Sequence, residues 1–170
     1  MSKHANSEIV IRTGIILKKA DQFLILKGNN TYDSIGKWGF PKGHMEPEDE
    51  DDPIKTALRE LKEETRIEIP YEVIDSKNTF KCDQDTLIFY IVDLKENEAS
   101  IKMPDELRVV DPEEIVRIQW ATLADIIQIP EKDKNSPMRQ WLAKNYPVRK
   151  WQEPAKQNTR QWKMNNTSWR

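Results

Sequence analysis

Short apolar runs, separated by polar stretches, recur along the first 120 positions of this chain, and they predict β-strands. Five segments have this pattern, at positions 9–17, 23–27, 71–81, 86–94 and 115–120. The polar residues at 18–21 predict a hairpin turn between the first two segments. The run LIFYIV in the fourth segment has no polar alternation, so we expect that strand to be covered on both faces at the centre of the sheet.

Apolar spacings of three and four residues predict a helix from Pro53 to about Glu64. Asp52 is a favoured N-cap, and proline is well tolerated at the first helical position because no intrahelical amide bond is lost there. The residues that form its apolar face are Ile54, Ala57, Leu58 and Leu61. A helix with one such face normally packs on a sheet.

Two shorter helical segments are predicted towards the end of the chain. Positions 122–127 favour a short helix or turn. Ser136 is the expected cap of a last helix, with Pro137 in its first position and an apolar stripe formed by Met138, Trp141 and Leu142. Together with the strands, these helices predict an α/β protein.

Glu60, Glu63 and Glu64 share a second face of the first predicted helix. Like charges three and four residues apart repel one another, so this face is suited to a bound cation. Carboxylate oxygens are hard ligands, which favours Mg²⁺ or Mn²⁺. The alternative is an ordinary solvated face, because glutamate is a good helix former and is mostly exposed in proteins.

The stretch around this helix, positions 38–67, resembles the signature of the Nudix hydrolases, Gly-x5-Glu-x7-Arg-Glu-U-x-Glu-Glu-x-Gly-U, in which U is aliphatic. Gly43 matches its start, and the run Arg59-Glu60-Leu61-Lys62-Glu63-Glu64 matches its second half. The resemblance implies the Nudix-type α/β/α sandwich with a mixed sheet, over residues 1–145. It also implies divalent-metal-dependent hydrolysis of a phosphoanhydride in a nucleotide-containing substrate.

The chain departs from the signature in two places. The interval from Gly43 to Arg59 is two residues longer, so the first glutamate of the signature, which braces Arg59, has no unique counterpart. Counting forward from Gly43 gives Asp49 and counting back from Arg59 gives Asp51, which is our candidate. Any residue of the run 48–52 can reach Arg59 if the extra residues bulge out before the helix cap. Arg66 stands where the signature has a glycine, a residue that usually serves a positive φ.

The resemblance also assigns roles to the residues of the signature. Glu60, Glu63 and Glu64, together with the Gly43 carbonyl, are expected to hold metal and to carry catalysis, while Lys42 is expected to meet a phosphate oxygen. Many members add an acid from a later loop as a ligand or general base.

Candidates for this later acid are Glu106, Glu113 and Glu114. We favour Glu114 because it directly precedes the predicted strand at 115–120, and because the segment EIVRIQW resembles the EIxxIxW of mRNA-decapping members. The alternative is an exposed glutamate without a catalytic role.

Several substrates are compatible with the flanking residues. WGFPKG at 38–43 resembles mRNA-decapping Nudix enzymes, which predicts capped RNA. The adjoining HMEP also resembles dinucleoside tetraphosphate hydrolases and diphosphoinositol polyphosphate phosphohydrolases. Trp38 is a candidate for stacking on a base, and burial in the sheet is the alternative. A different class of function is also compatible with the sequence: a module of this fold that binds nucleotide or RNA without cleaving it.

Residues 146–170 differ in composition from the rest of the chain. They contain six basic residues and one acid, a balance of +5, whereas the whole chain is at −2 and the remainder therefore near −7. Trp151, Trp162 and Trp169 stand among these cations. Basic residues mixed with aromatic rings predict an arm that binds nucleic acid, and a tail that docks on the body is the alternative.

Composition also excludes several classes of protein. No apolar run approaches eighteen residues and the N-terminus has no apolar h-region, so we expect a cytoplasmic protein with no membrane partner. The single cysteine, Cys82, cannot form an internal disulfide and is expected to be a packing or surface residue. With His4 and His44 as the only histidines, a zinc-type Cys/His cluster is excluded.

Overall fold

Seven β-strands form one mixed sheet in the computed structural model, which describes residues 9–10, 12–29 and 36–147. The strands are β1 (Arg12–Lys19), β2 (Gln22–Gly28), β3 (Trp38–Gly39), β4 (Lys42–His44), β5 (Thr79–Cys82), β6 (Leu87–Asp93) and β7 (Ile115–Thr122). The helices of the described residues are α1 (Pro53–Thr65), α2 (Leu123–Gln128) and α3 (Ser136–Asn145). The pairing of β1 with β6 is parallel, and the other strand pairings are antiparallel.

The middle strand of the sheet is β1, in the order β3-β2-β1-β6-β5. β4 pairs with the first residues of β1, and β7 pairs with β2 over its length. The predicted hairpin between β1 and β2 is confirmed, with its turn at Ala20 and Asp21. β6, which contains LIFYIV, is buried on both faces as predicted, but it lies one strand from the edge and not at the centre.

Apolar side chains of successive strand residues enter two cores on opposite faces of the sheet, because strand side chains alternate. The core beneath α1 includes Ile15, Leu17, Leu24, Ala57, Leu61 and Tyr90. The core beneath α3 includes Ile16, Phe23, Ile25, Phe89, Met138 and Trp141. The sheet is therefore covered by helices on both faces, and the predicted α/β/α sandwich is confirmed.

Local sequence fixes the start and end of α1. The Asp52 side chain accepts a hydrogen bond from the amide of Ile54 at 2.9 Å, which confirms the predicted N-cap. The Thr13 hydroxyl on β1 is fully buried and donates to the carbonyl of Pro53 at 2.8 Å, so the first turn is bonded to the sheet. The helix extends one residue past Glu64, to Thr65.

Two local predictions are wrong. In the segment 71–81 only the end is a strand, because Tyr71–Val73 form a turn of 3-10 helix directly after Pro70. The cap of α3 is Asn135 and not Ser136. The side-chain oxygen of Asn135 accepts a hydrogen bond from the backbone amide of Met138 at 3.0 Å. The backbone amide of Asn135 donates to the carbonyl of Trp38 at 2.9 Å.

The remaining predictions about the chain ends concern residues that the structure largely leaves undescribed. Within the described ranges, no helix is both long and apolar enough to cross a bilayer. His4 and the basic segment with Trp151, Trp162 and Trp169 lie outside those ranges.

Cys82 is buried on β5, as expected for a packing residue, and burial raises the pKa of its thiol to about 12.

Candidate active site

The side chain of Arg59 is the centre of a hydrogen-bond network on the outer face of α1. Its Nε and Nη2 donate to the two carboxylate oxygens of Asp49, each at 2.9 Å. Nη2 also donates to the carbonyl of His44 at 2.9 Å, and Nη1 donates to Glu60 at 2.9 Å and to Glu63 at 3.1 Å. The guanidinium fork therefore joins α1 to the loop that follows β4 and orients two of the predicted metal ligands.

Asp49, and not Asp51, is the acid that braces Arg59. Besides the two bonds from Arg59, its carboxylate accepts from the amide of Glu46 and from the hydroxyl of Thr56, both at 2.9 Å. The Arg59 bonds lower the pKa of Asp49 to about 2, with the Glu46 and Thr56 bonds adding to the effect against burial. Asp51 is exposed, so our sequence-based choice of Asp51 is wrong.

Backbone conformation explains why counting back from Arg59 failed. Glu50 and Asp51 have φ of 54° and 58°, so both adopt the left-handed conformation that side chains with a Cβ seldom occupy. These two residues bulge out between Asp49, which ends a turn of 3-10 helix (Pro47–Asp49), and the cap residue Asp52. The two additional residues therefore lie in this bulge, and Asp49 still reaches Arg59 as the first acid of the motif.

Gly43 and Glu60 are in contact across the site. A Cβ placed on Gly43 would lie 2.0 Å from the Glu60 side-chain Cδ, so a larger residue there would displace the Glu60 carboxylate from its present position. Burial raises the pKa of Glu60, while the adjacent Arg59 lowers it. The two residues come from β4 and α1, and the structure brings them together as the sequence predicted.

Glu64 lies deeper than its neighbours on α1. Its Oε2 atom is buried and has no hydrogen-bond partner among the described residues. Burial, together with the charges of Glu60 and Glu114, raises the pKa of Glu64 well above its usual value, and Lys42 opposes the shift. Burial likewise lowers the pKa of Lys42, with a further lowering from Arg12. A buried carboxylate oxygen without a partner is costly unless a cation or a proton occupies the space beside it.

Glu114 is the later acid that the fold brings to this cluster. Its charge acts on both Glu60 and Glu64, and it lines the same cavity as Lys42 and Glu64. Glu106 is instead bound to Arg108 at 2.6 Å and lines a separate cavity.

The position of Glu114 depends on the end of β2. Register shifts between Lys27 and Gly28 where β2 pairs with β7, and Asn29 follows directly. The Asn29 amide donates to the carbonyl of Glu114 at 2.8 Å, and its side chain donates to the carbonyls of Pro112 and Glu113. The sequence analysis missed Asn29, because only strand pairing shows that it meets the 112–114 loop.

A cavity of about 200 Å³ adjoins the carboxylates. Its lining residues are Leu26, Gly28, Lys37, Gly39, Phe40, Lys42, Glu64, Glu114, Ile115 and Asn135. Gly39 is necessary for this arrangement, since a Cβ there would lie 1.9 Å from the side-chain nitrogen of Asn135. Sequence analysis missed Phe40 and Asn135 as lining residues, although both stand next to residues that it singled out.

Trp38 does not line this cavity. It is 9% exposed and belongs to the core beneath α3, so the prediction that its ring is open for base stacking is wrong. The alternative, burial of Trp38 in the sheet, is confirmed.

Comparison with known proteins decides the family. The model of the NUDIX domain matches residues 9–144. The chain belongs to this family. The asymmetrical bis(5'-nucleosyl)-tetraphosphatase of Rattus norvegicus is 29% identical over 115 residues, which cover 62% of this chain and 75% of that protein.

Solved structures agree on the fold. A NUDIX hydrolase from Nitrosomonas europaea has a TM-score of 0.54 at 19% identity, covering 79% of this chain and 86% of that one. A bifunctional NMN adenylyltransferase/ADP ribose pyrophosphatase from Francisella tularensis, complexed with AMP and a Mn ion, has a TM-score of 0.53 at 16% identity, covering 79% and 41%. Our chain is thus a Nudix hydrolase that acts on phosphoanhydrides.

The Nudix helix of this protein fits a hard divalent cation. The buried, unpartnered Oε2 of Glu64 and the Glu60 carboxylate against Gly43 supply oxygen donors of the kind that Mg²⁺ and Mn²⁺ prefer. Among the described residues no three acidic, histidine or cysteine side chains already form a compact ligand set. Arg59 holds both Glu60 and Glu63, so a cation has to compete with its guanidinium for them.

We predict that Asp49→Asn destabilises this Nudix domain by roughly 1–3 kcal/mol, because Arg59 then loses its charged partner in a buried network. Chemical denaturation at pH 7 measures this. Because the pKa of Asp49 is about 2 in the folded state, below the ordinary 3.8, its contribution is present above pH 4 and is lost as the pH falls towards 2. The exposed Asp51→Asn is the matched control, and an equal loss of stability in both variants contradicts the assignment.

We also predict that metal binding weakens as the pH falls. The raised pKa values of Glu60 and Glu64 mean that protons compete with the cation at a higher pH than for ordinary glutamates. Activity measured against pH at several magnesium concentrations should therefore rise towards alkaline pH, and higher magnesium should shift the rise to lower pH. Profiles that superimpose at every magnesium concentration would show that protonation and metal binding do not compete.

Proposed function

We propose that this Nudix hydrolase cleaves the 5',5'-polyphosphate bridge of a dinucleotide, using Mg²⁺ or Mn²⁺ in the cytoplasm. The observation that carries the proposal is the cavity of about 200 Å³ beside Glu64. Its lining combines the apolar side chains of Leu26, Phe40 and Ile115 with Lys42 and the carboxylates of Glu64 and Glu114. It is smaller than the cavities that enclose whole drug-sized ligands, so it suits one end of a substrate whose bridge continues along α1.

Each charged residue has a separate role in this proposal. Glu60, Glu63 and Glu64 hold the cation, which stabilises charge on the phosphoryl oxygens and activates water when bound. Lys42, whose ammonium is desolvated beside Glu64, meets a phosphate oxygen of the bridge. Glu114, which lines the cavity, accepts a proton from the attacking water. Arg59 and Asp49 do not meet the substrate and keep the glutamates in position.

Two forms of the bridge have support from different observations. A free dinucleoside polyphosphate is supported by the similarity to the Rattus norvegicus tetraphosphatase. An RNA cap contains the same kind of bridge, and the WGFPKG stretch and the basic residues of 146–170 support it. Diphosphoinositol phosphates carry many more charges, whereas the cations that line the cavity are Lys37 and Lys42.

A hydrolysis panel tests this proposal with Mg²⁺ and with Mn²⁺. We expect cleavage of diadenosine tetraphosphate and of short capped RNA, with little cleavage of a diphosphoinositol phosphate. Glu64→Gln and Glu63→Gln should each lower kcat roughly 100-fold, because each removes a charged ligand from the ion that stabilises the transition state. The exposed Glu72→Gln is the control. Preference for the inositol substrate, or full activity of Glu64→Gln, contradicts the proposal.

Removal of residues 148–170 tests the predicted RNA-binding arm. We expect a higher KM for long capped RNA and an unchanged KM for diadenosine tetraphosphate, because only the long substrate reaches the arm. The salt dependence should also flatten, by about 0.7 in the log–log slope for each phosphate contact that is lost. An equal loss on both substrates, with a lower Tm and an unchanged salt slope, would identify the segment as a docking tail.

A further inference from the structure

Arg66 ends the catalytic helix in a conformation that favours glycine. Its φ is 62°, and its amide donates to the carbonyl of Lys62 at 2.8 Å. A residue with a Cβ enters this region at a conformational cost, and the Nudix signature has a glycine at this position. The backbone geometry is therefore the one that glycine serves, although a long cationic side chain occupies the position.

The Arg66 side chain is exposed and lies between two cavities along α1. One, of about 670 Å³, also includes Glu63 and Glu114 of the active site. The other, of about 450 Å³, includes Thr65 and Arg108 but none of the predicted metal ligands. A substrate that leaves the small cavity beside Glu64 and follows the helix would pass Arg66 at a distance from the reacting phosphate.

Other cations that line these two cavities already have acidic partners. Arg59 is bound to Asp49, Lys62 to Glu68 at 2.8 Å, and Arg108 to Glu106 at 2.6 Å. The guanidinium of Arg66 has no hydrogen-bond or ion-pair partner among the described residues. It is thus the lining cation that can bind an anion without breaking an existing pair.

We infer that Arg66 binds a phosphate group in the distal part of the substrate's polyphosphate bridge, which rests on the proposed function for the identity of that substrate. Arginine binds phosphate through a planar fork of donors, which lysine lacks. A competing explanation is that Arg66 only complements the negative end of the helix dipole. That role predicts a loss of stability on removal and no preference among anions.

Calorimetric titration of the full chain with inorganic tripolyphosphate and with orthophosphate, in the presence of Mg²⁺, tests the inference without needing catalysis. Arg66→Gly should weaken tripolyphosphate binding roughly 5- to 30-fold, because a charge-assisted contact is lost. The affinity of this variant for orthophosphate, which binds at the Lys42 end, should stay within twofold of the wild-type value. Its Tm should be unchanged or raised by roughly 2–3 °C, because glycine relieves the left-handed strain.

Three control variants isolate the contribution of the guanidinium. Ala20→Gly relieves a comparable φ of 55° in the turn between β1 and β2, and should change neither affinity. Lys55→Gln removes one positive charge from the opposite end of α1, where it pairs with Glu50, and should also change neither. Arg66→Lys keeps the charge but not the fork, and should bind tripolyphosphate with intermediate affinity.

Two results would overturn the inference. One is tripolyphosphate binding within twofold of the wild type in Arg66→Gly, and the other is an equal loss for both anions together with a lower Tm. Failure of the proposed function would give a different result. The wild-type protein would then bind tripolyphosphate through Arg66 but would hydrolyse neither diadenosine tetraphosphate nor capped RNA.

Discussion

The ion pair between Arg59 and Asp49 is the interaction on which the site depends. Three glutamates on one helical face repel one another, and a helix that carries them gains from a cation fixed in their midst. Arg59 supplies that charge within the fold, with its side chain 16% exposed and that of Asp49 3% exposed. The same guanidinium bonds to the carbonyl of His44, so the pair also sets the distance between β4 and α1.

Arg59 therefore contributes both to the stability of the fold, through Asp49, and to the position of the predicted metal ligands Glu60 and Glu63. Arg59 neutralises Glu60 and Glu63. A divalent ion that binds these two glutamates has to displace the guanidinium or share the carboxylates with it. Glu64 is the exception, because Arg59 does not reach it and its buried Oε2 has no partner among the described residues. The helix therefore presents one carboxylate that Arg59 does not contact and two that Arg59 holds.

Local patterns predicted what is local in this structure. The cap at Asp52 and the apolar face with Ala57 and Leu61 follow from the spacing of neighbouring residues, whereas the convergence of Glu60 with Gly43 was implied by the resemblance to the Nudix signature. Our choice of Asp51 was wrong because the residue count shows that two residues are added but not where they bulge out.

Tertiary pairing decided the other cases. Trp38 is buried because β3 pairs with β2, and Asn135 caps α3 because the carbonyl of Trp38 holds its amide. Asn135 and Trp38 are far apart in the sequence, and the strand pairing of Trp38 with Lys27 is not visible in a local pattern. Glu114 was chosen from three acids by its position before a strand, and the structure places it beside the cluster through Asn29, which local patterns did not indicate.

The left-handed pair Glu50 and Asp51 bears on how relatives of this protein are to be found. Both residues project from the surface between two fixed points, so chain length can change there without moving Asp49, Arg59 or any glutamate of α1. A search pattern that demands one fixed interval between the glycine and the arginine passes over such sequences. Homologues with longer or shorter inserts at this junction would keep the same three-dimensional arrangement and be missed by the pattern that defines their family.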